Sequence, residues 1–389
     1  MRCVVITNHH TAKASNQARP RHIVVLTPRG LGKPGGIDSL MSELHHELET
    51  GGYPAVRTYF ITTRGYAPLV VSPGIFLVAL LRLLILKLLS RADVVHINLT
   101  KFGSTYRKII FARTCRFLCI PYVLHLHSGM YDRFWDSRGG LIKKMIDGMF
   151  AHSRQIIVTG DYWKKVITDR SPGTERKTII IPNATRSVTY TSPKSSVAIN
   201  ILFLGDHGPP KGIPQLISAL SRLPLDLPWI ATLAGNGLVD ETRAAIARAG
   251  LGNRVRVPGW VGPQPRDALL RAATIFVLPS LSENLPMAVI EAFAYGVAVI
   301  CTPVGALPEI VKHGETGLFV PPGDVDRLAD ALLRLAKDAE LRQRLGMNAK
   351  AEHMTRLEIR HYTERLITVW TGASRSVHES SLAQISNRN

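Results

Sequence analysis

Apolar and polar residues alternate along this chain in a repeated order of short strands and longer helices. The strand-like runs are rich in Ile, Val and Leu, and helical periodicity follows most of them. This order predicts an α/β protein with parallel sheets whose two faces are both covered by helices. The predicted strands lie at 23–27, 56–61, 93–98, 122–126, 156–159, 178–181, 199–204, 229–234, 254–257, 274–278 and 298–301.

A polar segment, residues 184–198, separates two such series of elements. It is rich in Ser and Thr and contains one Pro, which is a composition typical of linkers. Because 389 residues are too many for one ordinary core, we predict an N-terminal domain over 1–192 and a C-terminal domain over 193–351. A helix over 352–371 follows, and we expect the Ser-rich tail 372–389 to be disordered.

The most apolar run of the chain, residues 75–89, is predicted to be a helix. It contains Arg82 and Lys87 and falls short of the ~20 apolar residues that a bilayer span requires. Two interpretations remain for it. The helix is buried against a sheet, which we favour, or it lies on the surface and dips into a membrane interface with its basic residues at the lipid headgroups.

The net charge of +19 is concentrated in the first half of the chain. Residues 1–192 contain 27 Lys and Arg against 11 Asp and Glu, which leaves +16 in this half. Such a field favours an anionic partner: nucleic acid, an anionic membrane surface or a phosphorylated substrate. The sequence has no nucleic-acid reading motif and no basic helix-turn-helix, so we expect no nucleic-acid partner.

The four cysteines predict neither disulfides nor a metal site. Cys3, Cys115, Cys119 and Cys301 form no CxxC pair, and buried reduced thiols in a cytoplasmic protein explain them best. Residues 1–20 are mostly polar, so we expect no signal peptide there.

Two loops carry signals for anion binding at a helix N-terminus. Gly35 and Gly36 stand directly before a helix, where backbone N–H groups can approach a phosphate, and Arg29 and Lys33 lie in the same loop. A tight turn without a ligand explains the two glycines equally well. In the second half, Lys211 stands before a helix and is suited to neutralise a phosphate.

Polar residues also follow the predicted strands of the first half. His127 emerges where the strand 122–126 ends, and the carboxyl ends of parallel strands face the ligand crevice of α/β sheets. A structural histidine is the alternative. His96 and Asn98 occupy the end of the strand 93–98.

The stretch LPSLSENLPMAVIEAFAY, residues 278–295, places two carboxylates eight positions apart. Glu283 lies in a turn after a strand, and Glu291 lies inside a helix that begins near Pro286. Two interpretations are equally supported by this stretch alone. Both carboxylates face one cleft, or Glu283 is a first-turn acid and Glu291 a solvated surface residue.

The run SENLPMAVIEAFAYGVAVICTPVGALPEIV, with its E-x7-E spacing, resembles the retaining glycosyltransferases of family four. The resemblance extends from about residue 22 to residue 370 and implies the GT-B fold. In that fold two Rossmann-like domains with parallel sheets face each other, and a C-terminal helix crosses back to the N-terminal domain. The other matching segments are PKG at Lys211, AGNG at Gly235–Gly237, TGLFVPPGD, IPNA at Asn183 and the Gly35-Gly36 loop.

The resemblance implies a nucleotide-diphosphate-sugar donor, held mainly by the C-terminal domain. Glu291 is then expected to bind the ribose hydroxyls, and Glu283 the hydroxyls of the sugar together with the backbone N–H groups of Asn284 and Leu285. The two carboxylates are thus hydroxyl-binding groups rather than an acid/base pair. Lys211 is expected to bind the diphosphate.

The remaining donor contacts are implied by the same resemblance. Gly35 and Gly36 belong to a loop that closes over the diphosphate, Gly235 lies in the donor site, and His127 lies near the transferred sugar. Helix N-termini and Lys211 can stabilise the leaving diphosphate, so we expect no metal and no cofactor.

One residue departs from the family pattern. The family usually has an arginine directly after the glycine at Gly205, and this chain has Asp206. We expect that Asp206 points away from the diphosphate or that another cation, such as Arg29, compensates for it.

The acceptor is expected to be a lipid-linked or polysaccharide glycan, bound mainly by the N-terminal domain. His96, Arg107 and Arg29 are candidates for acceptor or phosphate binding, because the HIN…STYRK segment resembles members that build bacterial surface polysaccharide. The basic first half and the apolar run 75–89 predict a cytoplasmic protein on the inner face of the membrane.

Three other classes of function remain. A sugar-nucleotide epimerase shares the two-domain fold but needs no acceptor. A glycoside hydrolase uses two carboxylates, yet has no need of phosphate-directed glycines or Lys211. A catalytically silent nucleotide-sugar-binding protein is the third, and Asp206 is the residue that suggests it.

Overall fold

The computed structural model describes residues 19–33, 35–66, 68–189 and 199–386. Within these ranges two six-stranded parallel sheets form, with strand orders β2-β1-β3-β4-β5-β6 and β12-β11-β10-β7-β8-β9. The strands of the first sheet are β1 Arg21–Thr27, β2 Val56–Thr62, β3 Val94–Leu99, β4 Tyr122–Leu126, β5 Gln155–Val158 and β6 Thr178–Ile180. Those of the second are β7 Ile199–Leu204, β8 Trp229–Ala234, β9 Val255–Gly259, β10 Ile275–Leu278, β11 Ala298–Cys301 and β12 Leu318–Phe319.

Helices connect successive strands and cover both faces of each sheet. In the first half they are α1 Gly36–Thr50, α2 Ser72–Leu88, α3 Gly103–Phe117, α4 Tyr131–Asp136, α5 Gly140–Ala151 and α6 Asp161–Arg170. In the second half they are α7 Ile213–Leu220, α8 Val239–Arg248, α9 Pro263–Ala272, α10 Met287–Ala294, α11 Val325–Lys337, α12 Ala339–Glu352 and α13 Ile359–Ser386. The central strands β3, β4 and β10 are buried along their whole length, because helices shield both of their faces. The predicted α/β class with two Rossmann-like parallel sheets is confirmed.

Helix α13 packs on the N-terminal sheet although it follows the C-terminal one in sequence. Its residues Tyr362, Leu366 and Trp370 are buried in one core cluster with strands β1, β3 and β4 and with helix α1. A π-helical turn, His353–Leu357, precedes the crossing, and the backbone of Thr185 pairs with Leu357 and Ile359. The returning chain is thus tied to the end of the N-terminal domain.

The C-terminal tail differs from its prediction over most of its length. Helix α13 continues to Ser386, where we expected disorder from residue 372 onward. Residues 387–389, and most of the predicted linker, lie outside the described ranges.

Our preference for a buried helix at residues 75–89 was wrong. In α2 the buried residues are Ser72, Ala79 and Leu83, whereas side chains such as Leu77 and Leu88 are exposed, Leu88 by 84%. The physical reason is position: α2 packs on β2, which is the edge strand, so only one stripe of the helix meets the sheet. No helix in the described part of the chain is long and apolar enough to cross a membrane.

The prediction of buried thiols holds for two of the cysteines. Cys115 and Cys301 are buried and free, but Cys119 is exposed. Cys119 lies in the turn after α3 with a φ of 52°, where the chain reverses at the surface. Cys3, like residues 1–18 as a whole, lies outside the described residues.

Candidate functional site

A cleft of about 690 Å³ lies between the two sheets, at the carboxyl ends of their strands. This is the position at which open α/β sheets bind ligands. The cleft gathers residues that the sequence left far apart. Of the predicted site residues, those that line it are Arg29, Gly35, Gly36, His127, Lys211, Gly235, Glu283, Asn284, Leu285 and Glu291.

The glycine loop on the N-terminal side is hydrogen-bonded to a carboxylate in the first turn of α1. The backbone N–H groups of Arg29 and Gly30 both donate to Asp38 Oδ1, each over 3.0 Å. Burial raises the pKa of Asp38 to about 6, although these two hydrogen bonds act in the opposite direction. Gly35 adopts a φ of 140°, which L side chains rarely reach, so the turn requires glycine.

Asp38 does not line the cleft but supports this loop from below, a role that was not predicted from the sequence. An acid in the first helical turn, two positions after a Gly-Gly pair, is the signal that points to it, because such a side chain can reach back to the loop. The same loop approaches the other domain: a Cβ on Gly36 would lie 3.7 Å from the side chain of Met287 at the start of α10.

His127 reaches the cleft from the end of β4, as predicted for a residue that follows a strand. Its Nε2 lies 2.7 Å from Asn98 Oδ1, and the Asn98 Nδ2 group donates to the Leu26 carbonyl oxygen over 3.1 Å. Burial lowers the pKa of His127 to about 3, and the neighbouring His96 adds to this shift. The imidazole is therefore neutral at physiological pH.

Two candidates for acceptor or phosphate binding lie away from the cleft. His96 is fully buried, and its Nδ1 accepts a hydrogen bond from Trp370 Nε1 of α13 over 3.1 Å. This corrects our prediction for His96, because a crossing helix covers this face of β3 and keeps the ring from any acceptor. Arg107 lies on α3, half-buried, and is not among the residues of the cleft.

The turn after β10 presents Glu283 on the C-terminal side of the cleft. Its Oε1 accepts from Lys211 Nζ over 2.5 Å and from Ser280 Oγ over 2.8 Å. Lys211 ends a short 3₁₀ turn, Pro209–Lys211, and the Gly212 that follows has a φ of 72° and lies against the Pro279 carbonyl group. This tight turn brings the lysine to the acid across 72 positions of sequence.

Glu291 of α10 forms a second ion pair on the C-terminal side of the cleft. Arg266 of α9 donates to Glu291 Oε1 over 2.8 Å and also pairs with Asp267. Burial raises the pKa of Glu291, while the Arg266 charge opposes that rise. Arg266 was not predicted from the sequence, since nothing in a single arginine of an amphipathic helix marks it as a partner of a residue 25 positions away.

The Glu283 turn is fastened to the N-terminal domain by the side chain of Asn284. Thr159 Oγ1 donates to Asn284 Oδ1 over 2.5 Å, and Asn284 Nδ2 donates to the Leu126 carbonyl oxygen over 3.2 Å. A Cβ on Gly129 would lie 2.8 Å from the Glu283 carbonyl carbon, so this close approach needs glycine. The loop that follows β4 and the Glu283 turn are thus in contact.

Asn183 makes a further bond between the domains. Its Nδ2 donates to the Leu285 carbonyl oxygen over 2.7 Å, and the side chain is buried. The IPNA segment therefore contributes to domain contact in this structure rather than to the cleft surface alone.

Asp206, the residue that departs from the family pattern, is exposed and lines the cleft. Its Oδ1 accepts from the Gly208 backbone N–H over 2.9 Å, and its carboxylate lies against Gly237. The AGNG turn approaches the same loop so closely that a Cβ on Gly235 would overlap the Gly205 carbonyl oxygen. The acid is thus bonded within its own loop.

Cations of the cleft come from both domains: Arg29, Lys33, Lys101, Arg186, Lys211 and Arg266. Arg186 pairs with Glu43 of α1 over 2.5 Å. Within the described residues, no group of three or more His, Cys, Asp or Glu is arranged to hold a metal ion. The Lys and Arg side chains of both domains thus bring positive charge to this cleft.

Comparison with known sequences agrees with the C-terminal motifs. Residues 193–352 match the model of the family described as glycosyl transferases group 1. A D-inositol 3-phosphate glycosyltransferase from Kribbella flavida is 36% identical over 170 residues, which are 40% of this chain and 39% of that protein. A phosphatidyl-myo-inositol mannosyltransferase from Mycolicibacterium smegmatis is 33% identical over 146 residues, 36% of this chain and 37% of that protein. The chain thus spans less than two-fifths of the length of these curated relatives.

Solved structures resemble the whole chain. Sucrose-phosphate synthase from Thermosynechococcus elongatus has a TM-score of 0.73 at 20% identity, over 92% of this chain and 100% of that one. Anabaena HepE in complex with UDP-glucose has a TM-score of 0.70 at 18% identity, over 90% of this chain and 99% of that one. The predicted GT-B architecture and the resemblance to family four are both confirmed.

Proposed function

We propose, on the family resemblance of the C-terminal domain and the GT-B fold, that this chain is a retaining, metal-independent glycosyltransferase. Its donor is a nucleotide-diphosphate-sugar, and its acceptor is a lipid-linked or polysaccharide glycan of surface glycan biosynthesis. The observation that carries the proposal is the pair of ion pairs in one interdomain cleft, Lys211 with Glu283 and Arg266 with Glu291. The relatives named above include a phosphatidyl-myo-inositol mannosyltransferase, and the solved neighbours include HepE with UDP-glucose.

The two ion pairs provide groups for both the diphosphate and the hydroxyls of a nucleotide-sugar. Fixed cations bind a diphosphate well, and a carboxylate that accepts hydrogen bonds from two hydroxyl groups binds a sugar or ribose diol well. With Lys211 bound to a phosphate oxygen, Glu283 keeps its second oxygen for the transferred sugar. Glu291, held by Arg266 deeper in the wall, is in the same way suited to the ribose.

The same cations supply what metal-independent transfer requires. As the bond from the sugar to the diphosphate breaks, negative charge grows on the leaving phosphate, and Lys211 is fixed in advance to stabilise it. Positive charge grows on the sugar ring, next to the Glu283 carboxylate. In front-face transfer the acceptor oxygen bonds to the anomeric carbon on the face from which the phosphate departs, so the configuration of the sugar is retained. The departing phosphate oxygen takes the proton of the acceptor hydroxyl.

A donor panel tests this proposal. The protein is incubated with labelled nucleotide-sugars, with and without a membrane extract, and label is followed in lipid, glycan and nucleotide fractions. Transfer to lipid or glycan, dependent on the extract, is the expected result. Conversion of the donor without an acceptor favours an epimerase. Tight donor binding without turnover favours the silent protein that Asp206 suggests, and binding of none of the donors contradicts the proposal.

An anionic membrane surface is the partner that the exposed face of α2 supports. The apolar side chains Leu77, Leu81 and Leu88 stand exposed, and Arg82 and Arg91 are exposed beside them. Apolar groups that insert among acyl chains, with cations at the headgroup level, are the features of an interfacial helix. We therefore propose a cytoplasmic enzyme that docks on the inner face of the cytoplasmic membrane, where a lipid-linked acceptor is found.

Vesicle flotation tests the docking. We expect the protein to float with vesicles of anionic lipid at low salt and to remain in solution with neutral vesicles. Stable attachment needs both the insertion of apolar side chains and the attraction of cations to anionic headgroups. Failure to float with anionic vesicles at low salt contradicts the docking and leaves the transfer reaction to be judged by the donor panel.

A further inference from the structure

The hydrogen bonds around Asn98 determine which nitrogen of His127 carries the proton. The Leu26 carbonyl oxygen can only accept, so the Asn98 side chain must turn its Nδ2 group toward it, as the 3.1 Å distance indicates. Asn98 Oδ1 then faces His127 Nε2 at 2.7 Å. Because a carbonyl oxygen also only accepts, Nε2 must be the donor of that bond.

A neutral imidazole has one N–H group and one acceptor nitrogen. With the proton on Nε2, the Nδ1 atom of His127 is the acceptor. His127 lines the cleft, and the loop that follows it touches the backbone of Glu283. The nitrogen without a proton is thus the ring atom left for a ligand in the part of the cleft where Glu283 lies.

We propose that Asn98 is a positioning residue that holds His127 as the Nε2–H tautomer, so that Nδ1 accepts a hydrogen bond from the transferred sugar. The inference rests on the proposed function and deepens it, because it restricts the sugar. The group that faces Nδ1 must carry a hydrogen, as a hydroxyl does. A carboxylate or carbonyl oxygen at that position would meet the nitrogen lone pair.

The arrangement of β3 explains why Asn98 and not His96 does this. Residues 96 and 98 lie on one face of the strand, and β3 pairs with β4 in parallel, with Asn98 opposite His125. Trp370 of α13 bonds to His96, whereas Asn98 lies near the strand end, where it reaches both β1 and the residue that follows β4. His96 is closed off by the helix, and Asn98 reaches the cleft through His127.

The tautomer can be measured directly by NMR on the full chain labelled with ¹⁵N-histidine. Comparison with His127→Asn assigns the His127 signals, and two-bond ¹H–¹⁵N couplings identify the protonated nitrogen. We expect a single Nε2–H tautomer in the wild type. A proton on Nδ1 of the wild-type ring overturns the proposal, whatever the variants do.

Two variants of Asn98 separate positioning from simple stability. Asn98→Asp keeps an acceptor for Nε2, so a proton is expected on Nε2, but its carboxylate cannot donate to the Leu26 carbonyl oxygen and also favours protonation of the ring. Asn98→Leu removes the acceptor, so both tautomers are expected. An unchanged Nε2–H tautomer in Asn98→Leu contradicts the role of Asn98, and the wild-type measurement still decides the tautomer if this variant fails to fold.

Ligand titrations test the contact with the sugar. UDP-glucose, the ligand of the HepE neighbour, is compared with UDP, and each donor found active in the panel is treated in the same way. We expect the Nδ1 resonance of His127 to move with the nucleotide-sugar and to stay in place with the nucleoside diphosphate alone. Equal shifts, or none with a bound nucleotide-sugar, overturn the contact.

Deoxy analogues of the bound sugar identify the hydroxyl. We expect one analogue to bind the wild type about tenfold more weakly than the parent sugar, and this difference to vanish in Asn98→Leu. A difference that persists unchanged in the variant contradicts the coupling. If no nucleotide-sugar binds at all, the proposed function fails, whereas the tautomer is still judged by the spectrum of the free protein.

Discussion

The two walls of the cleft are built on different physical principles. The C-terminal wall has two acids, each paired with a cation: the partly buried Glu283 with Lys211 and the buried Glu291 with Arg266. The N-terminal wall has a glycine loop held by one carboxylate and a neutral histidine held by an amide. The first wall is charged and internally compensated, and the second offers backbone N–H groups and a neutral ring.

This difference predicts which wall should show the larger loss of turnover and donor binding when a side chain is substituted. Removing one member of a fully buried ion pair leaves its partner uncompensated and lowers the free energy of unfolding by about 3–5 kcal/mol. Removing one hydrogen bond to a neutral group costs only about 1 kcal/mol. We therefore expect large effects on chemistry and donor binding from the C-terminal wall, and smaller effects from the N-terminal domain.

The largest effect is expected from Glu283→Gln. The amide keeps the shape of the side chain but loses the charge next to the sugar, so turnover should fall about 10²- to 10³-fold. Binding of the nucleoside diphosphate should change by less than about threefold, because Lys211 remains. Steady-state rates and calorimetry measure the two effects, with the exposed Glu315→Gln as control. Strongly weakened nucleotide binding with normal turnover would reverse the assignment of the two acids.

Glu291→Ala should act on binding rather than on chemistry. Loss of the hydroxyl-binding carboxylate should weaken nucleoside-diphosphate affinity about 10- to 100-fold. Arg266 keeps its ion pair with Asp267 but loses the buried Glu291, so the midpoint of urea unfolding should also fall. In the double variant with Arg266→Ala, part of the stability loss should be recovered, because the guanidinium no longer has to be buried without the Glu291 carboxylate. Strictly additive stability changes would show that the pair is not coupled.

A third prediction concerns the exposed face of α2, which lies outside the cleft in the N-terminal half. Leu81→Glu combined with Leu88→Glu places two acids on the proposed membrane-facing surface, so vesicle binding should fall at least about tenfold. Unfolding should be unaffected, since both side chains are already exposed. Leu225→Glu is the control, because Leu225 lies on the C-terminal half and is exposed by 82%, close to the 84% of Leu88. Equal loss of vesicle binding in the control would contradict the proposal that the exposed face of α2 binds the membrane.

The smallest effect is expected at Asp38, which holds the glycine loop. Because burial raises the pKa of Asp38 from 3.8 to about 6, the folded state binds the proton more tightly than the unfolded state. The resulting stability is fully present below about pH 4 and is lost as pH rises through about 6. Asn cannot ionise, so Asp38→Asn should become more stable than the wild type over this window, by about 1–3 kcal/mol at pH 7.

Urea unfolding between pH 4 and 8 checks this prediction, with the exposed Asp330→Asn as control. A stability difference that does not depend on pH, or one that shrinks as pH rises, would contradict the raised pKa. Donor binding at pH 7 should change only a few-fold, because the amide oxygen of Asn still accepts from the loop N–H groups.

The predictability of the site follows the same division between the walls. Glu283, Asn284, Leu285 and Glu291 lie in one continuous stretch, and all four line the cleft. The spacing of the two acids left two interpretations open, and it was the resemblance of this stretch to family four that predicted donor contacts for all four residues. The N-terminal wall is assembled from positions near 29, 98 and 127, and there the sequence predicted His127 and the glycines but missed Asp38 and assigned His96 to the wrong surroundings.

What the sequence by itself determined is whatever depends on neighbours along the chain. Alternation of strands and helices established the α/β class, and the turn-helix signals placed Glu291 inside α10. Only the tertiary structure decided which partner each polar group takes. Arg266 meets Glu291, α13 covers His96 and α2 lies on an edge strand with its leucines exposed, because these outcomes depend on how distant elements pack. Local periodicity says which face of an element is apolar, but not what covers that face.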